Sequence, residues 1–336
     1  MSTTYYDPNK HQGNYRVIKK KKFKPGRFIL ALLILSLIPL IGYGAYYAYQ
    51  INKTINVISD DGVKIPESQL AKNRPITILL LGKDSRPETG TLNTDVIMAV
   101  SMNPVTQKAT LVSLPRDAEL KISDYSSGHK ANWFYAAAYS DHDGDKKAIF
   151  SEMKHVFGET FGVPIDYITI VDFKTLEDVV DAVGGVKVKV DQDMRYVDPT
   201  DGTNINLTAG EQVLDGKNAL DFVRYRKSNR GTAGTDDTDR NMRQQQVISA
   251  LISKIKSPET LLSGGGILKA ISKNIETDLP SAQIYSIVKT YAGIKPKSIE
   301  FIPINGVWVS PFVIINEQEF GDAKAKLMNQ LEKVSN

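Results

Sequence analysis

The sequence predicts an α/β domain with a mixed central β-sheet and helices on both faces, preceded by one transmembrane helix. Three observations carry that prediction. "ITILLL" (76–81) is a continuous apolar run of the kind found in a strand buried on both faces. Downstream, strand-like runs alternate with segments whose apolar residues recur at helical spacing, the pattern of a layered α/β domain. Near the N-terminus, residues 28–49 run 22 positions without a charge.

That span is long enough to cross a hydrocarbon core of roughly 30 Å. Ahead of it, residues 1–27 carry eight basic residues against Asp7, a net +7, so the 34 basic and 37 acidic residues that follow sum to −3. The overall charge of +4 therefore belongs to a short tail, and the folded part has no nucleic-acid signature. The positive-inside rule places that tail in the cytoplasm and everything after the span outside. Tyr43, Tyr46, Tyr47 and Tyr49 read as the outer interfacial belt. The expected organisation is a cytoplasmic tail (1–27), a transmembrane helix (28–49), an extracellular stalk (50–74) and a domain (75–336).

Within the domain, "VIMAVSM" (96–102) and "ATLVSLP" (109–115) follow the first strand and are joined by a turn-rich "NPVTQK", which predicts a hairpin. Residues 146–162 place Ile149, Met153, Val156, Phe157 and Phe161 on one helical face. "IDYITIVDF" (165–173) reads as a strand, "KTLEDVVDAVGG" as a helix stopped by Gly184-Gly185, and "VKVKV" (186–190) as an alternating strand. "AGEQVLDGKNALDF" and residues 239–255 read as helices. A helix within 280–292, a strand at "IEFIPI" and a helix within 317–333 complete the order.

The chain has no cysteine, which excludes disulfides and thiolate metal sites, and its four histidines show no metal-binding spacing. Chemistry then falls to carboxylates, arginines and a hard cation. Asp84 follows the first strand and Asp95 begins the next, at the kind of sheet end where α/β folds collect ligands. Such a pair suits Mg²⁺, which takes one or two carboxylates and fills its octahedron with water and phosphate. Read alone, the pair is better explained by one aspartate capping a turn and the other pairing with Arg86. "SLPRD" puts Arg116 and Asp117 at another strand end. In "VRYR", an extended chain would send Arg224 and Arg226 to one face and Tyr225 to the other. On the 239–255 helix the inward stripe, extended toward the N-terminus, passes through Arg240, Arg243 and Gln244. Guanidiniums grouped with two carboxylates suggest a clamp for a phosphate-bearing anion with a bridging Mg²⁺. Asp141, Asp143, Asp145 and Glu152 imitate a Ca²⁺ loop, but Lys146 stands at its required glycine, so a loop capping the next helix is expected. "SGGGI" (263–267) lacks a following Lys-Ser/Thr and is read as a plain loop.

Taken in order, "LLLGKDSR", "TDVIMAVSMNP", "VSLPRD", "HKAN", "VVDAVGGVKVKV", "LDGKNALDFVRYR" and "DRNMRQQQ" resemble the LytR-CpsA-Psr family over about residues 76–256. The resemblance implies a Gram-positive, membrane-anchored phosphotransferase. It would move an anionic glycopolymer from a polyprenyl-diphosphate carrier to the muramic acid 6-hydroxyl of peptidoglycan, with Mg²⁺. It further implies that Asp84 and Asp95 hold Mg²⁺ and that Arg86, Arg116, Arg224, Arg226 and Arg240 grip the diphosphate. Lys130 and Gln244 would complete the head-group pocket, and Asp239 or Asp237 would act as base. One position departs: many members carry an arginine just before the Thr-Asp pair, where this chain has Leu92 and Asn93. Water as acceptor would make the same site a polyprenyl-diphosphate phosphatase. A non-catalytic, membrane-bound envelope regulator is the third reading.

Overall fold

The structure, a computed structural model, describes residues 49–50, 52–56, 59, 64–83, 92, 94–200, 202–235, 237–255, 275–291 and 293–332. The basic tail, residues 28–48 of the predicted span, Asp84, Arg86, Asn93 and the 263–267 loop lie outside them. Among the described residues no helix is long and apolar enough to cross a membrane.

In chain order, the predicted hairpin appears as β1 (Ile76–Lys83), β2 (Thr94–Asn103) and β3 (Lys108–Leu114), a three-strand antiparallel meander. Two short strands, β4 (Glu119–Leu120) and β5 (His129–Lys130), pair beyond it, and helices α1 (Trp133–Asp141) and α2 (Lys146–Phe161) follow. Next come β6 (Tyr167–Asp172), α3 (Phe173–Ala182), β7 (Val186–Val190), the hairpin β8 (Met194–Asp198) and β9 (Thr203–Leu207), β10 (Gly210–Leu214), α4 (Gly216–Arg224) and α5 (Asp237–Ile255). The last elements are β11 (Ile275–Thr277), α6 (Ser281–Tyr291), β12 (Ile299–Pro303), the hairpin β13 (Gly306–Val309) and β14 (Phe312–Ile315), and α7 (Glu317–Leu331).

The main sheet has the order β11-β6-β1-β2-β3-β12. It is mixed, because β6 runs parallel to β1 and β12 parallel to β3. Strand alternation divides its side chains between two cores. Leu79, Leu81, Ile97, Ala99, Val112 and Leu114 pack with Phe134, Met153, Phe157 and Phe320 from α1, α2 and α7. Leu80, Val96, Met98, Val100 and Leu111 face the other way, toward Ile248 of α5. Helices thus cover both faces, as the apolar runs predicted. A third core, with Val180, Val186, Ile205, Phe222 and Val247, joins α3, α4 and α5 to β7 and the β8–β9 hairpin.

Local signals account for several boundaries. Asp145 accepts from the Lys147 amide and caps α2, the capping role expected of that acidic loop. Gly162 closes α2 in the left-handed region, with φ 65°. At the end of α3, Gly184 and Gly185 have φ of 76° and 87°, and a Cβ on Gly185 would lie 2.9 Å from the Leu214 carbonyl oxygen.

Two expectations require correction. The segment 209–222 is not one helix: Gly210–Leu214 pairs antiparallel with β7, and the helix starts only after Asp215, whose side chain accepts from the Asn218 amide. Apolar Val213, Leu214, Ala219 and Leu220 imitate a helical stripe, but an aspartate cap fixes the true start. Nor does the region before Pro75 stand off as a stalk. Ala71 is fully buried and donates its amide to Gln283 Oε1 at 3.0 Å, and Lys72 donates its amide to Ser286 Oγ at 2.9 Å, both on α6. Arg74 binds Asp166 at 2.7 Å just ahead of β6.

Candidate active site

The ends of β1, β3 and β6 share one edge of the main sheet with the start of β2. Between that edge and the third core lies a cavity of about 580 Å³. Its walls carry Arg116, Arg224, Arg226, Lys227 and Arg240 against the carboxylates Asp95 and Asp198. The apolar part of the wall includes Phe173, Val96, Ile205 and Val223.

Arg116 is placed by the end of β3. Pro115 has no amide to continue a ladder, the chain turns so that the Ala118 amide donates to the Pro115 carbonyl at 3.0 Å, and Asn132 donates to the Arg116 carbonyl at 2.9 Å. Its guanidinium pairs with Asp95 at the start of β2, and its Nε lies 3.5 Å from Asp117. Burial alone would lower the arginine's pKa, but Asp95 and Asp117 outweigh it, and the group stays charged above its usual range. Burial likewise works against the Asp117 anion, yet Lys130, Arg116 and Arg226 hold its carboxyl below the ordinary aspartate range.

Arg224 ends α4, where a cation also suits the helix dipole, and its guanidinium sits 5.1 Å from the centre of the Phe173 ring. Tyr225 is fully buried and donates its hydroxyl to the Ala233 carbonyl at 2.6 Å. With that ring turned inward, the residues on either side reach the cavity. The predicted sharing of a face by Arg224 and Arg226 therefore holds, although a helix end rather than a strand produces it. Arg240 and Gln244, four apart on α5 and so on one helical face, also line the cavity.

Three predicted residues sit elsewhere. Arg243 is 1% exposed and does not face the cavity. Its Nε and Nη2 bind both oxygens of Asp191 at 2.8 and 2.6 Å, and its Nη1 donates to the Tyr225 carbonyl at 3.1 Å. Arg243 and Gln244 are adjacent and point about 100° apart on the helix, so one inward stripe could not bring both to the cavity. Lys130 is one carboxylate removed from the wall: it binds Asp117 at 2.9 Å. Asp239 lies half-buried in the first turn of α5 and is not among the lining residues. The Asp237 side chain, like those of Asp84 and Arg86, is outside the described residues.

Sequence reasoning missed Lys227, Phe173, Tyr196 and Asp198. Lys227 directly follows "VRYR" and was legible there. Tyr196 and Asp198 come from the β8–β9 hairpin, which has no strong apolar alternation, so its contribution was not. Tyr196 donates its hydroxyl to Asp198 Oδ2 at 3.2 Å.

Five cations around a cavity with an apolar flank can take a multiply charged anion that carries an apolar group. Guanidiniums offer paired donors to phosphate oxygens. Among the described residues no cluster of three or more His, Asp or Glu side chains could hold a metal ion by itself. A divalent cation at Asp95 would need oxygen ligands from the anion and from water, which is how Mg²⁺ is usually held.

Comparison with known proteins gives a consistent picture. The model of the LytR_cpsA_psr family matches residues 43–333. A relative from Bacillus mycoides strain KBAB4, polyisoprenyl-teichoic acid–peptidoglycan teichoic acid transferase TagU, is 33% identical over 80% of this chain and 85% of its own. TagV of Bacillus subtilis strain 168, the transferase of the same name, is 28% identical over 83% of this chain and 70% of its own. The crystal structure of B. subtilis TagV superposes with a TM-score of 0.59 at 26% identity, covering 78% of this chain and 99% of that one. TagT bound to LI-WTA superposes with a TM-score of 0.57 at 26% identity, covering 82% and 96%.

Proposed function

The chain belongs to the LytR-CpsA-Psr family, and from that premise we propose that it transfers an anionic glycopolymer, such as teichoic acid or capsular polysaccharide, from a polyprenyl-diphosphate carrier to peptidoglycan. The observation that carries this reading is the cavity at the sheet edge, where four arginines and a lysine surround a space flanked by Phe173, Ile205 and Val223. The cations suit a diphosphate and the apolar flank suits the start of a prenyl chain.

In the reaction, the muramic acid 6-hydroxyl attacks the sugar-proximal phosphorus. An oxygen–phosphorus bond forms, the bond from that phosphorus to the bridging oxygen breaks, and polyprenyl phosphate departs with the electron pair. Arg116, Arg224, Arg226 and Arg240 stabilise the charge on the transferring group, which is where catalysis of phosphoryl transfer chiefly arises. Arg116 arrives preset, since Asp95 and Asp117 fix its position and charge before substrate binds. Lys130 acts through Asp117, and Gln244 adds a neutral donor beside Arg240. Asp198 is the carboxylate we assign to accept the hydroxyl proton, in place of Asp239, because it lines the cavity and is oriented by Tyr196.

Asp95, with Asp84, would hold Mg²⁺. Held there, it would supply positive charge against the diphosphate. Arg86 would add a further phosphate contact. The apolar run 28–49 would anchor the chain in the cell membrane with the basic tail in the cytoplasm, keeping the cavity on the outer side where lipid carrier and wall meet.

The test is a transfer assay with the purified full chain, a lipid-linked teichoic-acid or capsule precursor, Mg²⁺ and peptidoglycan oligomers. The expected product is polymer joined to glycan through a phosphodiester, with release of polyprenyl phosphate. Consumption of precursor at the same rate with and without peptidoglycan, yielding free polymer phosphate only, would instead make the enzyme a phosphatase. Binding of precursor with no turnover would leave a non-catalytic envelope regulator.

A further inference from the structure

The chain contains two tryptophans, and both are exposed. They are not equivalent. Trp133 is held by its neighbours: His129 stacks on it at 3.8 Å, and Tyr125 and Phe134 meet it edge-on. Packing explains it. Trp308, on the β13–β14 hairpin, is 52% exposed, and the contact recorded for its ring is Lys130 Nζ at 5.4 Å from the ring centre. Val307 and Val309 beside it are 71% and 55% exposed, and residues 301–316 contain no charged side chain. An uncharged, largely apolar strand left open to water marks a surface that something covers.

The backbone places this surface next to the cavity. Trp308 pairs across the hairpin with Val313, and the Val313 amide donates to the Asp117 carbonyl at 2.8 Å. Two strand spacings, ~10 Å, therefore separate Trp308 from the residue that follows Arg116. The side chains repeat the connection, running from the Trp308 ring to Lys130, to Asp117 and to Arg116 at the cavity wall.

We propose that the β13–β14 hairpin is the docking platform for the acceptor glycan, with the Trp308 indole stacking on a sugar ring while Lys130 fixes the indole from its other side. This rests on the transferase reading and extends it to the second substrate. Charge distinguishes the occupant. The five cations of the cavity wall attract the anionic donor, whereas a strand without cations offers that donor nothing. It does match the neutral backbone of an amino-sugar glycan, whose rings present apolar C–H faces to an aromatic plane and hydroxyls to water. The acceptor must also approach the phosphorus from outside the donor pocket, and a platform ~10 Å from Asp117 sets a bound sugar within one or two ring lengths of that position. Holding the hydroxyl there converts a collision into an oriented attack.

The experiment uses the full chain in lipid nanodiscs, a defined lipid-linked polymer, and a soluble amino-sugar glycan oligomer with free primary hydroxyls. For Trp308→Ala, the acceptor concentration giving half-maximal transfer should rise at least tenfold. Donor consumption with water as acceptor should be unchanged, and Trp308→Tyr should restore most of the acceptor affinity. Normal acceptor dependence in Trp308→Ala, with donor still consumed, would overturn the platform and leave the transferase reading intact. If the unsubstituted chain consumes no donor at all, the transferase reading itself fails. In a Trp133→Phe background Trp308 is the sole tryptophan, so its emission should shift on adding the glycan oligomer. Quenching by brominated lipid, with no response to glycan, would overturn the proposal in favour of membrane contact by this hairpin.

Discussion

Arg243 and Asp191 form a two-point ion pair that locks α5 to the end of β7, with nitrogen–oxygen distances of 2.8 and 2.6 Å. The two partners differ in exposure: the arginine side chain is 1% exposed and the aspartate 39%. Removing the aspartate strands a buried cation, while removing the arginine leaves a carboxylate that water can reach. Asp191→Ala should therefore destabilise by ~3 kcal/mol, and Arg243→Met by clearly less, in denaturant unfolding. Equal losses would mean that the guanidinium is hydrated in the folded state.

The same pair has a pH signature. Burial opposes the Asp191 anion, but Arg243 prevails and sets its carboxyl below the ordinary value of 3.8. A depressed folded-state pKa stabilises the fold fully above the unfolded value, and the contribution is lost as pH falls through the folded one. Unfolding midpoints measured from pH 6 down to about pH 2 should fall in that acid window for the native chain. In Arg243→Met the fall attributable to this carboxylate should shrink.

Arg226 tests the cavity most cleanly because its side chain is exposed and its loss leaves no buried hole. Arg226→Ala should lower transfer by about 100-fold or more, the usual cost of deleting one donor to a charged transition state, with the unfolding midpoint unchanged. Arg226→Lys should recover only part of that loss, since an ammonium group cannot make the paired contact of a guanidinium. Full activity in Arg226→Ala would remove this residue from the clamp.

Legibility in the sequence followed the strength of the local signal. The runs that became β1, β2, β3 and β6 are almost uniformly apolar because both faces of the main sheet are covered, and such runs identify themselves. The pair Arg224 and Arg226 was recognisable because a large aromatic residue stands between them and must turn inward. The β8–β9 hairpin was not, since Arg195, Asn204 and Asn206 are exposed and its buried Met194, Ile205 and Leu207 are split between two short runs. Asp198 and Tyr196 went unseen with it. Arg243 was misjudged for a different reason: a polar residue on an inward helical stripe can face a ligand or a buried partner, and only the position of Asp191 decides which.

Gly216 opens α4 where that helix crosses α3. A Cβ there would sit 2.2 Å from the Glu177 carbonyl oxygen, and the Gly216 amide donates to Asp181 at 2.7 Å. Backbone cannot yield as a flexible side chain can, so Gly216→Ala must push the two helices apart. The expected cost is ~2 kcal/mol of stability, typical of overpacking. Because α4 carries Arg224 at its other end, transfer should fall as well. Loss of stability with unaltered kinetics in the surviving folded fraction would show that the helix start and its C-terminal arginine move independently.

Asp95 has two proposed roles, one toward Arg116 and one toward Mg²⁺, and titration separates them. Asp95→Asn keeps the shape and a hydrogen-bond acceptor for the guanidinium but loses the charge that a hard cation needs. If Asp95 is a ligand, the Mg²⁺ concentration for half-maximal transfer should rise about 10- to 100-fold, and excess Mg²⁺ should restore much of the rate. If it serves only to position Arg116, the rate should fall at every Mg²⁺ concentration with the midpoint unmoved. Chelation of the native enzyme should stop transfer, while Arg116, Arg226 and Arg240 should still retain the lipid diphosphate in a binding assay. A native enzyme that works at full rate after chelation would exclude the metal from the reaction, and Asp95 would then stand as the carboxylate that holds Arg116 in place.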